Sequence, residues 1–592
     1  MKLIMKYLKP YYGRMLFGLL VKIGGTVAEL FMPWILAHIL DNVIPETKLS
    51  GDMRNMVFWS FMMLLMAVLA RGFNVFANRK AAEVSKNTIF ILRNDLFQKI
   101  LHLSGKQTDK VGIPSLISRM TTDTYNIHHA INMMQRMGVR APMIILGGLV
   151  ITATLDPALT LVLAGTMPFI VAVIVVISKK GIPLYGKVQQ NIDVMVRTLR
   201  EDVAGIRVIK ALSKKEYEKK RFEKANAEVS DKELLASGVM AASSPLINFF
   251  LNMGLTLVVI VGAYRVNAGL TQAGKIVAFL TYFTMISNAV IAINRIFVMF
   301  SKALASSERV GLVLDAEDNL QIEKLIGAAN NNRLEFRNVS FSYQDDREKL
   351  CLEHVSFSLK PGENLGIIGA TGSGKTTLLS LLMRFYDVTE GDIYIDGKNI
   401  KSYPLQELRQ KFGVAFQNDV VFHDTVRENI SFGRELTDEQ IIDAAKQANA
   451  YEFIREKEGS LDHVAAIKGA DFSGGQKQRM LVARALAGNN EFLLLDDASS
   501  ALDYKTDAYI RKQIREQKKG ITTVTVAQRI SSVMQSDLIL VLDDGAVIGQ
   551  GTHEELMLTC ETYREIYKSQ MGLDIRELEN NAQATMQNGG NN

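Results

Sequence analysis

Apolar stretches of membrane-spanning length recur through the first three hundred residues of this chain, and none follows Phe300. They run over Arg14–Leu40, Asn55–Asn78, Val139–Leu155, Ala158–Ile177, Ser244–Tyr264 and Lys275–Phe300. Each is near or above the ~20 residues that cross about 30 Å of hydrocarbon. A backbone in hydrocarbon must satisfy its own hydrogen bonds, so these stretches are predicted to be six membrane helices. The whole 592-residue chain is 48% hydrophobic yet 22% charged, the average of two unlike halves. Cys351 and Cys560 alone exclude a disulfide scaffold and offer no zinc cluster.

The links give an orientation. Asp41–Arg54, Asp156-Pro157 and Arg265–Lys275 are short and poor in basic residues, whereas Arg79–Arg136 and Lys179–Lys232 are long and rich in them. Basic links stay in the cytosol, which predicts a multi-pass protein of the cell membrane with both termini cytoplasmic. This placement also explains the net charge of +6 without nucleic acid, which is not an expected partner. The first apolar run follows Lys2, Lys6 and Lys9, but it is too long for a secretory signal and is read as a retained span. Within the long links, Ile89, Leu92, Leu96, Ile100 and Leu103 recur at helical spacing, as do Val194, Leu199, Val203, Ile206 and Ile209. They predict helical continuations of the spans; helices lying on the membrane surface are the alternative. Polar residues inside the spans include Lys22, Glu29, His38, Asn248, Asn252, Asn288, Asn294 and Arg295. A lone carboxylate at the depth of Glu29 must pair, protonate or face water. It is either a contact for substrate or a cation in a central cavity, or an interhelical bond.

Beyond about Asn330 short β-branched runs alternate with helical ones, the pattern of an α/β domain. Its strongest motif is Gly369-Ala370-Thr371-Gly372-Ser373-Gly374-Lys375-Thr376, with Thr377 next, between a predicted strand over Asn364–Ile368 and a predicted helix. Glycines let backbone N–H groups wrap phosphates at the positive end of that helix. Lys375 supplies charge to the outer phosphates and Thr376 a hydroxyl to Mg²⁺. A second apolar strand, Glu491–Leu495, delivers Asp496 and Asp497 to its carboxyl end, where Asp496 can hold Mg²⁺.

Phe472-Ser473-Gly474-Gly475-Gln476 resembles the signature of the ATP-binding cassette (ABC) transporters, with Phe in place of the usual Leu. The order of the other motifs is similar to the exporter branch: Tyr343 fits the aromatic that stacks on adenine, Gln417 the Q-loop that reaches Mg²⁺, and Ser500-Ala501-Leu502-Asp503 the D-loop. The resemblance implies an α-helical transmembrane domain of six spans (1–304), a connector (305–332), an α/β P-loop nucleotide-binding domain (333–570) and a polar tail (571–592). It implies ATP and Mg²⁺ as cofactors, and coupling helices near Thr121–Ile127 and Ala211–Lys215. In this family two nucleotide-binding domains stack head to tail, so Ser473, Gly474, Gly475 and Gln476 are expected to face a partner's ATP. One chain then holds half of each site.

Two departures sit at the chemical centre. Family members place Glu after the Mg²⁺-binding Asp as general base, and a switch His near the γ-phosphate; here the positions are Asp497 and Gln528. Losing a methylene retracts the carboxylate by about 1.3 Å, while a base needs hydrogen-bond reach of roughly 2.6–3.2 Å. Gln donates a hydrogen bond but cannot become cationic. Val464–Ala470 also lacks the acidic-Arg-Gly pattern usual before the signature. The expectation is a subunit that binds ATP and hydrolyses it poorly, paired in a heterodimer with a second half-transporter whose site its own signature completes. Asp497 acting through a water, in a slow homodimer, is the alternative. The expected cargo is a small amphipathic compound of the drug type, taken from a membrane-lipid setting by alternating access. A lipid flippase, a peptide exporter, or a non-transporting ATP-gated channel or sensor on the same frame are the other readings.

Overall fold

The computed structural model describes residues 2–571, apart from 318–319, 326, 328–331, 344–348, 418 and 518–519. The Asn294 side chain and, after Met571, the expected polar tail also lie outside the described residues. The chain forms two compact units, one of Met1–His102 with Ile113–Ala316, the other of Leu103–Gly112 with the residues from Glu317 onward.

The first unit is helical. Six apolar helical spans cover Lys2–Ser50, Arg54–His102, Ile113–Leu155, Pro157–Ala204, Lys215–Asn267 and Ala273–Leu314. At 1.5 Å per residue the 48-residue helix Pro157–Ala204 is about 72 Å long, more than twice the hydrocarbon thickness. The helical patterns in the long links therefore continue the spans and are not separate surface helices. Leu92 and Leu96 are buried along this extension, whereas Val194, Leu199, Val203 and Ile206 stay exposed within the single chain. The sixth span runs to Leu314, into the stretch read as connector.

The short connections are held by carboxylates. Asp156 caps Pro157–Ala204, accepting from the amides of Ala158 (2.9 Å) and Leu159 (3.2 Å), and also takes Arg265 Nε at 3.1 Å. Asp41 reaches the first turn of the sixth span, accepting from the amides of Gly274 (2.5 Å) and Lys275 (2.9 Å). A Cβ on Gly274 would lie 2.7 Å from the Asp41 carboxyl carbon, so only glycine permits this approach. Each carboxylate satisfies amides that a helix start leaves unpaired and sits at the positive end of the dipole. Between the helices, Glu29 takes a two-point bond from Arg140, Nη2 to Oε1 at 2.6 Å and Nε to Oε2 at 3.2 Å. Of the two readings of Glu29, the structure supports the interhelical bond. Lys22 Nζ donates to Asn78 Oδ1 at 3.0 Å, and His38 stacks on Trp34.

The second unit contains two sheets. An antiparallel one has the order β2-β1-β4-β5, from β1 (Leu334–Phe341), β2 (Leu352–Leu359), β4 (Glu390–Ile395) and β5 (Lys398–Asn399). The other has the order β10-β9-β3-β8-β7-β6, from β3 (Leu365–Gly369), β6 (Phe412–Ala415), β7 (Phe492–Asp496), β8 (Thr522–Val526), β9 (Leu538–Asp543) and β10 (Ala546–Gly551). All neighbours in it are parallel except β10, which turns back on β9. Parallel strands carry apolar side chains on both faces: Leu365, Ile367, Leu494, Val524 and Leu540 are buried on one, and Ile368, Leu493 and Val541 on the other. Because β8 alone separates β3 from β7, the carboxyl ends of those strands open onto one place, where a parallel sheet binds ligands.

A segment from the first long link belongs to this second unit. Ser104 opens the helix Gly105–Val111 with a capping box completed by Gln107. Gly105 N donates to Phe385 O at 3.1 Å, and Tyr386 donates its hydroxyl to Asp109 Oδ2 at 2.6 Å. A Cβ on Gly105 would come within 2.5 Å of the Tyr386 ring. The segment of the first long link that packs against the nucleotide-binding residues is thus Gly105–Val111, not the expected Thr121–Ile127. Thr121–Ile127 instead lies in a continuous helical run of the membrane unit, where buried Asp123 accepts from Ser306 Oγ (2.8 Å) and Arg309 Nε (2.9 Å). The other expected turn, Ala211–Lys215, is a left-handed bend at Ser213 after the helix Ile206–Ala211.

Gly105→Val is expected to push the Gly105–Val111 helix off the Tyr386 ring. Its amides should then exchange hydrogen at least about tenfold faster than in the parent protein. Unchanged protection would show that this contact does not hold the helix. Asp156→Ala removes a cap and strands Arg265, so about 1–3 kcal/mol of stability should be lost, read as a lower unfolding temperature in detergent.

Candidate functional site

The phosphate loop follows β3 directly. Gly372 (φ +88°) and Gly374 (φ +97°) take the left-handed region that lets consecutive amides turn inward. At Gly374 the space is also closed, since a Cβ would lie 2.6 Å from Leu352 Cδ2. Thr371 and Gly372 are exposed at the loop's crest, whereas Ser373 and Thr377 are buried beneath it. The helix Lys375–Leu382 follows. Lys375 Nζ folds over the loop and donates to the carbonyls of Gly369 (2.9 Å) and Ala370 (2.5 Å). Burial lowers the affinity of this ammonium for its proton, and the nearby Asp496 and Asp497 oppose the shift.

β7 brings Asp496 to the same place. Thr376 Oγ1 lies 3.3 Å from Asp496 Oδ1. Neighbouring oxygens on an octahedral Mg²⁺ stand about 2.9 Å apart, so this hydroxyl–carboxylate pair fits the ion with a small adjustment. Burial holds the Asp496 carboxyl above its ordinary range; Thr376 opposes this and Asp497 adds to it. A bound cation at that position would keep it ionised.

Asp497 is the centre of the polar network. It takes a left-handed backbone (φ +49°), with its amide donating to Val526 O at 2.9 Å. Its Oδ2 accepts from Gln417 Nε2 at 3.2 Å and from Gln528 Nε2 at 2.9 Å. The structure thus gathers Gln417, Asp496, Asp497 and Gln528 with Lys375 and Thr376 at one sheet edge. Burial raises the Asp497 carboxyl above its ordinary range as well.

Tyr343 stands beside the loop. Its hydroxyl is 3.1 Å from Thr377 Oγ1, and its ring meets Phe341 and Tyr386 edge-on at 4.9 and 5.1 Å. It remains 39% exposed, which leaves ring surface for a base to stack on. Tyr386 thereby touches both the aromatic of the nucleotide site and Asp109 of the Gly105–Val111 helix, a connection the sequence reading missed.

The signature residues form a separate feature. Ser473 caps the helix Gly474–Leu486: its Oγ accepts from Gln476 N at 3.3 Å, and Gln476 Oε1 accepts from Ser473 N at 2.9 Å. Phe472 is buried against Phe453, which explains how Phe replaces Leu. Among the described residues, none of Ser473, Gly474, Gly475 or Gln476 hydrogen-bonds to the phosphate loop. Ser473 and Gly474 are exposed. One turn on, Gln478 clasps the D-loop, donating to Ser500 Oγ and accepting from Ala501 N, both at 2.8 Å. Sequence reasoning passed over Gln478 because nothing in its spacing marks a contact with residues 22 positions away. Asp503 accepts from the Thr506 amide and hydroxyl, both at 2.9 Å, in the first turn of Tyr504–Gln517.

Comparison with known proteins agrees with this geometry. Residues 15–290 match the family model described as ABC transporter transmembrane region, and residues 352–500 match the one described as ABC transporter. The uncharacterized ABC transporter ATP-binding protein YfiB of Bacillus subtilis (strain 168) is 35% identical over 579 residues, covering 98% of this chain and 100% of that protein. The ATP-dependent lipid A-core flippase 1 of Colwellia psychrerythraea (strain 34H / ATCC BAA-681) is 30% identical, with 96% of each chain covered. A bacterial Atm1-family ABC exporter, solved with ATP bound, shares the fold at a TM-score of 0.77 and 24% identity, over 95% of this chain and 98% of the other. Six membrane helices, a phosphate loop beside Asp496, an SGGQ helix cap and these full-length similarities together make the chain a half-transporter of the ABC exporter family, in which ATP binding and hydrolysis are coupled to transport.

Proposed function

We propose that this chain is the subunit with the weaker ATP site in a heterodimeric exporter that moves amphipathic compounds out across the cell membrane. The observation that carries the reading is the state of Asp497. Its carboxylate is one methylene shorter than a glutamate, and one of its two oxygens, Oδ2, already accepts from two side-chain amides. Those two donors hold the carboxylate in one orientation and take up the lone pairs of that oxygen. Gln528 adds a donor but no positive charge, so the charge that builds on the transferred phosphoryl is less well balanced.

The binding elements are complete on the same reading. Loop amides and Lys375 hold phosphates, Tyr343 stacks on the base, and Thr376, Asp496 and Gln417 hold Mg²⁺, which would neutralise charge between the outer phosphates. The exposed Ser473–Gly474 turn begins a 13-residue helix whose amides suit the phosphates of a partner's nucleotide. The cargo follows from the family and from the membrane setting. Similarity to lipid A-core flippases favours a second reading within the same mechanism, in which the amphiphile is itself a lipid.

Purifying the chain with and without its partner tests the division of labour. The chain alone should bind ATP and turn it over weakly; robust turnover by it alone would refute the proposal. Asp497→Glu with Gln528→His should restore a base of full reach and a cationic donor, raising hydrolysis at this site by at least about tenfold, within the range of general-base effects. Lys375→Ala should weaken nucleotide binding at this chain's own site. Ser473→Asp keeps the helix cap but repels a phosphate, so it should depress ATPase of the assembled pair while binding at this chain's loop is unchanged. Equal loss at both sites would break the cross-subunit assignment.

A further inference from the structure

Two cavities flank the Glu29–Arg140 pair. One, of about 400 Å³, is lined by Glu29, Arg140, Arg295 and Asn288 among apolar residues; the other, of about 300 Å³, by Glu29, Arg140, Lys22, Arg71 and Arg136 with Asn74 and Asn78. Glu29 is the single carboxylate lining either, and Arg140 already occupies both of its oxygens. The expectation of a cation-attracting acid is therefore inverted, because five basic side chains surround one neutralised carboxylate.

Depth sharpens the point. Counting 1.5 Å per residue from the ends that carry the short connections, at Leu40, Arg54, Leu155 and Ala273, Glu29 lies about 16 Å in. Lys22, Arg71, Arg136 and Arg140 lie about 22–28 Å in, and Arg295 about 33 Å. Against a hydrocarbon thickness of about 30 Å, the cations gather at the membrane boundary on the side of the long basic links, the inner leaflet in the orientation read from charge. Arg71, Arg136 and Arg295 are exposed. Among the described residues no carboxylate pairs with any of the three. Guanidinium groups at this depth seek water, lipid headgroups or an anion rather than lipid tails, and the two cavities offer Arg71, Arg136 and Arg295 a polar lining. Met32, Met137 and Met285 supply adaptable apolar walls beside them.

We propose that these cavities take an amphiphile with an anionic headgroup, its phosphate, sulfonate or carboxylate seated on Arg71, Arg136 and Arg140 and its apolar part against the methionine-lined side. Guanidinium forks match such oxyanions in two-point contacts, and Arg295 extends the positive field toward the inner surface. The proposal rests on the exporter reading and names the chemical class of its cargo.

The test uses the purified protein, in the assembly it forms, in phosphatidylcholine nanodiscs. Binding of fluorescent dioctanoyl phosphatidic acid is measured, with taurocholate, ethidium and inorganic phosphate as competitors. Phosphatidic acid or taurocholate should bind more tightly than ethidium; a preference for the lipid assigns the headgroup to a membrane source, and one for taurocholate to a soluble amphiphile. Arg71→Gln with Arg136→Gln should weaken anion binding by at least about tenfold, while Arg71→Lys with Arg136→Lys, which keeps the charge but not the fork, should lose clearly less than the Gln pair. Tighter binding of ethidium, full competition by inorganic phosphate, or unchanged affinity in the Gln pair would overturn the proposal. Trinitrophenyl-ATP binding is followed in parallel: its absence from the parent protein would sink the exporter reading itself, whereas intact nucleotide binding without anion preference sinks this inference alone. Normal nucleotide binding in the variants also shows that they fold.

Discussion

Everything in the first half of this protein follows from hydrocarbon's inability to hydrogen-bond. A backbone there must close its own ladder, so the unit contains only helices, and their ends and charges become the points that need chemistry. The ends are met by Asp41 and Asp156, which accept from otherwise unpaired amides across short connections. Within the bundle the one deep carboxylate, Glu29, is matched by Arg140. Removing either partner would leave a charge where water is scarce, which is why such pairs hold a bundle in register even when their net energy is small.

The second unit obeys a different constraint. Its phosphate loop needs left-handed backbone at Gly372 and Gly374 and a strand–helix junction to aim the amides. Parallel pairing of β3, β8 and β7 then places Asp496 and Asp497 beside that junction with no further device. Asp497 is where the proposed function separates holding a nucleotide from cleaving it. The elements that grip phosphate are backbone and charge, tolerant of small shifts, whereas proton abstraction depends on a reach set to a few tenths of an ångström. On the proposed reading, a shortened side chain clasped by Gln417 and Gln528 would spare the first function and weaken the second.

Much of the site was legible because its residues are contiguous. The run Gly369–Thr376 and the run Phe472–Gln476 each carry their chemistry within a single turn and its flanks, and their order along the chain fixes the family resemblance. Where a contact joins distant positions, the reading failed or stayed open. The Gly105–Val111 helix was missed although its Ser104-x-x-Gln107 box is written in the sequence, because only the Tyr386 ring seated on Gly105 shows what that helix docks against. Gln478 and the D-loop, and Glu29 and Arg140, are further pairs of this kind.

The amino-acid sequence alone determined that six helices cross a membrane, that a P-loop domain follows, and that Asp497 and Gln528 stand where the family resemblance expects Glu and His. These are properties of local periodicity, of motif spacing and of residue identity, and none depends on which parts of the chain meet. Tertiary structure decided the sign of charge in the membrane cavities, the docking of the Gly105–Val111 helix, and the two amides bound to Asp497. Each of these is a sum over side chains brought together from separate elements, and hydrophobic packing, which sets the neighbours, carries no label in the sequence for the polar partners it will bring into reach.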